Sequence, residues 1–245
     1  MIKVPLRFAF ALPATVAFLV FPISAFAQKQ TTNKFPRAIE RSEDAGLIIS
    51  LLAVADSGLP KELIDRAQAV AVFPRISKEV SFIDHTIKGP GVISARKGTA
   101  WTPPAFYQFW GDKYGNPFAP NETYGLVMLF MTKEAVEWFA KGRVRLQGKQ
   151  KAVAGPVDKL TDQDRKDLAN TQIVAYVYYN GKLSGSGISG NFFNTFFLNP
   201  DNKINKPLYG IKGREVLAGQ RVDAASLPAG IAAFQEALQK HYARP

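Results

Sequence analysis

The sequence contains no cysteine, which excludes disulfides and cysteine metal sites. It has only two histidines, His85 and His241, and neither stands in an H-E-x-x-H zinc pattern. Asp84 and His85 are adjacent, and strand neighbours point to opposite faces, so they cannot form a dyad there. No serine occupies a G-x-S-x-G elbow. These absences argue against an enzyme, and we expect neither catalytic residues nor a metal.

Two segments resemble ligand motifs but lack the required context. Four aspartates lack the spacing and glycine of a calcium loop and indicate the solvated start of a helix: Asp158, Asp162, Asp164 and Asp167. Residues 185–190 fit G-x-G-x-x-G, but a phenylalanine-rich, β-like run follows instead of the helix that would face a dinucleotide. We therefore expect a glycine-rich bend there and no cofactor.

The N-terminus has the features of an export signal. Lys3 and Arg7 precede a stretch, residues 8–27, that carries no charge. The stretch ends in Ala25-Phe26-Ala27, an A-x-A site, so a signal peptide cleaved after Ala27 is predicted. The alternative is an uncleaved membrane anchor. Both place the rest of the chain across the membrane, in the periplasm or cell envelope, and the absence of cysteine excludes lipid anchoring through a new N-terminal cysteine.

The charge balance is strongly basic. The formal net charge is +11, and removing Lys3 and Arg7 leaves +9. Such an excess favours an anionic partner, which could be nucleic acid, an acidic polymer or anionic lipid. Export makes nucleic acid the least expected of the three.

Hydrophobic patterning predicts a single α+β domain. Residues 28–36 are expected to form a flexible lead-in, and Ile39, Leu47, Leu51 and Val54 recur at helical spacing within residues 37–56. A short helix is expected over residues 61–66, and others after Thr132, Thr161 and Ser226. Strands are expected over residues 69–73 (stopped by Pro74), 80–83, 91–95, 105–109, 124–130, 143–153, 173–179 and 192–198. This order predicts an antiparallel sheet or partial barrel with flanking helices over residues 37–245.

Two features could contact a ligand. If residues 143–153 form one strand, four cations share one face and could meet lipid head groups: Arg143, Arg145, Lys149 and Lys151. The alternative is the solvated face of an ordinary antiparallel strand. Residues 105–110 and 192–197 are dense in aromatic rings that burial preference assigns mainly to the core, whereas Phe118 lies in a predicted loop and is expected to be exposed.

Seven motifs, read in order, resemble the SYLF lipid-binding family. They are Ala67 to Pro74, a glycine turn at Gly89-Pro90-Gly91-Val92, Trp101 to Tyr107, an apolar strand from Leu126 to Met131, Ala152 to Pro156, the set Tyr176, Gly181, Gly185 and Gly190, and a close from Asn205 to Gly210. The resemblance covers roughly residues 45 to 219.

The resemblance implies non-enzymatic binding of phospholipid or phosphoinositide, with no catalytic residues. Some eukaryotic members also bind actin, which an exported protein would not meet. Together with the basic charge, this predicts a protein that binds anionic phospholipid or a membrane surface in the periplasm or envelope. The alternative is an envelope structural or interaction protein whose basic face binds a protein or an acidic polysaccharide. The patterns carry no signal for an oligomeric state.

Overall fold

A computed structural model of the chain describes residues 34–55, 58–80, 85–112, 123–140, 143–145, 152–155, 159–184 and 195–243. All of them belong to one compact unit, Asn33–Pro245. Its helices are α1 (Pro36–Val54), α2 (Lys61–Arg66), α3 (Lys133–Ala140), α4 (Asp162–Leu168), α5 (Asn202–Tyr209), α6 (Gly213–Leu217) and α7 (Ala233–Tyr242), with one 3-10 turn, Ala224–Ser226.

The strands form one mostly antiparallel sheet. They are β1 (Ala69–Val80), β2 (His85–Lys97), β3 (Ala100–Trp101), β4 (Ala105–Asp112), β5 (Thr123–Phe130), β6 (Arg143–Arg145), β7 (Ala152–Ala154), β8 (Ile173–Tyr179), β9 (Lys182–Ser184) and β10 (Thr195–Pro200). The order across the sheet is β6-β10-β4-β2-β1-β5-β8-β7, with β3 beside β2 and β9 beside β8. Only β7 and β8 pair in parallel among these strands.

Chain connectivity requires this sheet to curl. The strands β6 and β7 end the strand order on opposite sides, which in a flat sheet would place them about 34 Å apart at ~4.8 Å per strand. The chain from Arg145 to Ala152 can span at most about 25 Å. The sheet is accordingly a half-barrel, and the predicted α+β fold with an antiparallel sheet or partial barrel and flanking helices is confirmed.

The concave side of the half-barrel is filled by phenylalanines. Phe109 lies between Phe73 and Phe196, with ring centroids 5.4 Å and 5.9 Å apart respectively. Helix α3 enters this side, and its Phe139 packs 5.0 Å from Phe196 and 4.3 Å from Phe130. All five rings are buried. The helices α1, α5, α6 and α7 instead contact the opposite side of β1, β2, β3 and β4, called here the outer face.

The final motif fastens α5 to the outer face. Asn205 is fully buried; its Oδ1 accepts from the Phe106 backbone N–H at 2.9 Å and its Nδ2 donates to the Phe106 carbonyl at 2.8 Å. The Tyr209 hydroxyl donates to the Pro104 carbonyl at 2.7 Å. Gly210 then ends the helix at a φ of 74°, which favours glycine. Pro207 inside α5 obscured this helix in the sequence pattern.

Several local predictions were wrong. Pro74 does not stop a strand, because β1 continues to Val80 and accommodates the proline where its pairing with β5 shifts between Phe73 and Ile76. Gly89-Pro90-Gly91-Val92 is not a turn but lies inside β2. Asp164 is not solvated: it is buried and completes a capping box with Thr161, although the predicted helix start is confirmed.

Two further corrections concern α1 and residues 143–153. In α1 the buried face includes Ala45, Ile49 and Leu52, whereas Leu47, Leu51 and Val54 are exposed. The single strand predicted over residues 143–153 is wrong, since β6 pairs with β10 and β7 pairs with β8 at the far side of the strand order.

Candidate functional site

A row of side chains crosses the outer face of the sheet beyond the covering helices. Register places Lys88 of β2 opposite Trp110 of β4, and Trp110 opposite Phe197 of β10. Residues directly opposite in a sheet share a face, so these three form one surface, called here the outer row. Trp110 is 38% exposed and meets Phe197 edge to face, with ring centroids 5.0 Å apart. The outer row therefore presents an indole and a cation side by side.

A second row lies one step along the same strands. Gln108 is opposite both Pro90 of β2 and Asn199 of β10. Gln108 Nε2 donates to Asp201 Oδ2 at 3.2 Å, and Arg41 Nη1 binds the same carboxylate oxygen at 3.0 Å. This chain of contacts fixes Gln108 beside the outer row.

A groove runs between the N-terminal half of α1 and these rows. Its α1 wall includes Arg37, Glu40, Arg41 and Asp44, and Arg75 and Pro90 join that wall to the sheet. The cavity above the sheet floor has a volume of about 450 Å³, and the floor is formed in part by Ser77, Lys88, Gln108, Trp110 and Asn199. That volume falls within the usual range for ligand sites, ~300–1,000 Å³.

Ion pairs largely neutralise the groove from within. Arg75 Nη2 lies 2.8 Å from Glu40 and 2.7 Å from Asp44, and the Arg41–Asp201 pair is only 16% and 14% exposed. The hydrogen bond from Arg75 to Glu40, together with the charge of Asp44, raises the pKa of Arg75, so this guanidinium stays charged. Attraction of an anion over a distance must therefore come mainly from the net charge of the whole chain.

An apolar stripe continues the groove wall along α1. Glu40, Asp44, Leu47, Leu51 and Val54 follow at spacings of three and four residues and so lie on one side of the helix. The last three are 59%, 43% and 73% exposed. Isolated exposed leucines are ordinary, but three in line beside a charged groove form a patch.

The structure locates only part of the predicted cation row. The backbone of Arg143 is paired with Phe197 and that of Arg145 with Thr195, so register places Arg143 in line with the outer row. Lys149, Lys151 and Phe118 lie outside the described residues. The predicted lipid-binding role of these five residues stays a prediction.

Sequence reasoning missed the residues that line the groove. Trp110 was assigned to the core with its neighbours, although strict alternation puts Phe106, Gln108 and Trp110 on one face and the polar Gln108 marks where burial ends. For Lys88 and Arg75 the local sequence carries no such signal. Their position next to α1 depends on contacts between distant elements.

Comparison with known proteins identifies the family. Residues 121–241 match a family described as Ysc84, Las17-binding protein actin regulator. Residues 121–241 thus form a Ysc84 domain, the domain of the SYLF family. The resemblance drawn from the seven motifs is thereby confirmed, and the coarse function is that of a binding domain. None of the curated proteins compared with the chain matches it.

The matched range contains four of the seven motifs, from Leu126 to Gly210. The three earlier motifs precede it but contribute β1, β2 and β4 to the same compact unit. The matched range therefore supplies both flanks of the half-barrel, β6 and β10 on one side and β5, β8 and β7 on the other. The preceding segment supplies the central strands β1, β2 and β4 and the helix α1, which form most of the groove.

Neither a metal centre nor a spanning helix is evident in the part of the chain that the structure describes. There, no three His, Asp or Glu side chains come together in a way that could hold a metal ion. Of the helices described, none combines the length and apolar character that crossing a bilayer requires.

Proposed function

We propose that this Ysc84-family chain binds anionic phospholipid at a membrane surface, without catalysis, in the bacterial periplasm or cell envelope. The observation that carries the proposal is the apolar stripe of Leu47, Leu51 and Val54 lying on the same side of α1 as the charged groove. Buried apolar area and attraction to anionic head groups add together when a helix lies in a bilayer interface.

Each part of this surface has a separate role in the proposal. The apolar stripe would enter the interface, and Trp110 would lie at head-group level, where amphipathic rings are favoured. Lys88, and the backbone-placed Arg143 and Arg145, would supply cations, each contributing about 1 kcal/mol near an anionic surface. Actin is not part of the proposal, because an exported chain would not meet it.

Co-sedimentation with liposomes tests the proposal. Residues 28–245, which contain the whole compact unit, would be mixed with phosphatidylcholine vesicles and with vesicles containing phosphatidylglycerol, at low and high salt. We expect binding only to the anionic vesicles and its loss at high salt, since exposed charges are screened. Binding that is equal for both vesicles, or unchanged by salt, would contradict the electrostatic part.

Charge-matched variants locate the surface. Changing Arg143, Arg145, Lys149 and Lys151 to Glu should weaken binding roughly tenfold or more. The control changes four exposed lysines elsewhere to Glu: Lys159, Lys166, Lys182 and Lys240. Equal loss in the two variants would mean that only net charge matters and that no surface is selected.

A polar substitution tests the apolar part. Leu47→Gln with Leu51→Gln should reduce anionic-vesicle binding at low salt, where the charges still act, because it removes the area that would enter the interface. Unchanged vesicle binding, with retention of the protein on an acidic polysaccharide resin, would favour the envelope interaction role instead.

Export itself is tested by N-terminal sequencing of the secreted protein, which should begin at Gln28.

A further inference from the structure

We infer that the groove floor binds the sugar ring of an anionic glycolipid head group. This inference rests on the proposed function, because it names the head group that the membrane-facing side would select. It starts from the combination of side chains along two adjacent rows. An indole, two amides and an ammonium lie together on the outer face: Trp110, Gln108, Asn199 and Lys88.

Each of these groups matches one part of such a ligand. A pyranose ring offers an apolar C–H face that can pack on the exposed part of Trp110, and hydroxyls that can bond to both donor and acceptor atoms of Gln108 and Asn199. Lys88 lies directly opposite Trp110, where its ammonium can meet a carboxylate or phosphate on that ring. A bare phosphate would need cations but neither amides nor an indole.

The groove floor is also held in shape before any ligand arrives. Phe197 packs edge to face against Trp110, which limits movement of the indole. Gln108 is held by Asp201, and Asp201 by Arg41, in a contact that is mostly buried. Groups that are fixed beforehand lose less conformational freedom on binding, which favours selective recognition over general adsorption.

The groove is large enough to hold a sugar ring together with its glycosidic linkage. A volume of about 450 Å³ exceeds what one phosphate fills and lies within the range of small-molecule sites. Two guanidinium groups beside the floor are already engaged: Arg41 pairs with Asp201, and Arg75, which also lines the floor, pairs with Glu40 and Asp44. Recognition on the floor therefore depends on shape and hydrogen bonds more than on charge density.

Four vesicle compositions separate ring from charge. Phosphatidylcholine vesicles would carry, at one fixed mole fraction, phosphatidylglycerol (charge without a ring), glucuronosyl diacylglycerol (charge and ring), glucosyl diacylglycerol (ring alone) or no addition. We expect the tightest binding to the glucuronosyl lipid, roughly tenfold above phosphatidylglycerol, as one aromatic contact and one or two hydrogen bonds would give. Equal binding of the two anionic lipids would overturn the inference.

Two variants assign the preference to the groove floor. Trp110→Leu keeps an apolar side chain but removes the ring, and Gln108→Leu removes the amide at similar volume; each should lower glucuronosyl-lipid binding toward the phosphatidylglycerol level. The control is Tyr179→Leu, because Tyr179 is a similarly exposed ring, 39%, on β8. Loss of binding to both anionic lipids alike in Trp110→Leu would instead show simple insertion of the indole and overturn the inference.

The outcomes separate the inference from the proposed function. Binding to phosphatidylglycerol vesicles without preference for the glucuronosyl lipid would contradict the proposed sugar-binding site but not the proposed lipid-binding function. No binding to either anionic vesicle would contradict the proposed function itself. Circular dichroism of each variant at the assay temperature shows whether a loss reflects unfolding, and Gln108→Leu provides a second test if Trp110→Leu does not fold.

Discussion

At the scale of single residues, Gly91 shows why a motif glycine is required. It lies in β2 opposite Tyr107, and a Cβ at this position would overlap the Phe73 ring and approach the Val72 carbonyl. Phe73 in turn packs on Phe109 in the concave core. The glycine therefore makes room for an aromatic ring on the neighbouring strand, a role that has nothing to do with turning the chain.

Gly91→Ala should consequently destabilise the fold by about 1–3 kcal/mol, the usual cost of overpacking a core. Urea unfolding followed by circular dichroism would measure it. Gly98→Ala is not a neutral control, since Gly98 has a φ of 64°; Ala100→Gly, at an exposed position of β3, is a better one. A Gly91→Ala protein as stable as the parent would mean that Phe73 can move freely.

The hydroxyl of Tyr242 is a second residue-scale feature. The side chain is buried, its oxygen makes no hydrogen bond within the described structure, and burial, with a smaller effect of Asp65, raises its pKa to about 12. A pKa above the usual 10 means that the folded state holds the proton more tightly than the unfolded chain. The contribution of the protonated hydroxyl to the free energy of unfolding is complete below about pH 10 and is lost as the pH rises toward about 12.

We therefore expect Tyr242→Phe to leave stability near pH 7 unchanged or slightly raised, because it removes a buried polar group that lacks a partner. Above about pH 10 the parent should lose stability faster than the variant, by about 1 kcal/mol near pH 11. Urea midpoints across pH 7–11 would show the difference. Parallel curves would indicate that Tyr242 ionises as easily in the folded state as in the unfolded one.

At the scale of elements, α1 has two apolar faces with different roles. The buried face meets α7, β1 and β2, and Gly46 permits the backbone of α1 to approach that of Ala233 closely. The apolar stripe on the other side is exposed, and no described element covers it. Helix α1 therefore carries more apolar side chains than its contacts with α7, β1 and β2 bury.

This difference predicts opposite effects on stability. Ile49→Ala, in the fully buried face, should cost about 2–5 kcal/mol. Leu47→Gln and Leu51→Gln should each change stability by no more than about 0.5 kcal/mol, as exposed substitutions usually do. Thermal and urea unfolding would measure both. A large loss from Leu51→Gln would mean that the apolar stripe is covered in solution.

At the scale of the whole molecule, α3 joins the two sides of the half-barrel. It follows β5, leads to β6, and contacts β5, β6 and β10. Phe139 bridges Phe130 of β5 and Phe196 of β10, strands that are four places apart in the sheet. This ring therefore holds the curl that brings β10 and its part of the outer row into place.

Phe139→Ala should destabilise the fold by about 3–5 kcal/mol, as large-to-small core changes do. The matched control on the same helix is Glu137→Ala, at an exposed position. If the curl also shapes the outer face, Phe139→Ala should weaken vesicle binding even where the protein remains folded. A variant as stable as the parent would show that the concave core does not depend on this ring.

The sequence alone determined the class of fold, most helices and the family. Those signals are local: Thr132 and Thr161 cap helices through contacts within three residues, and apolar runs mark strands wherever they pair. Pro74 inside β1 and the division of residues 143–153 between two strands were not readable in this way, because each depends on which distant strand is the partner.

The groove was decided only by tertiary structure. Arg41 meets Asp201 across 160 positions of sequence, and Gln108 reaches the same carboxylate from a third element. Trp110 shares its face with Lys88 and Phe197 because β4 pairs with both β2 and β10. Local sequence fixes which residues alternate along a strand, whereas strand register and strand order decide which residues of different strands come into contact. The groove is formed by such contacts between distant parts of the chain.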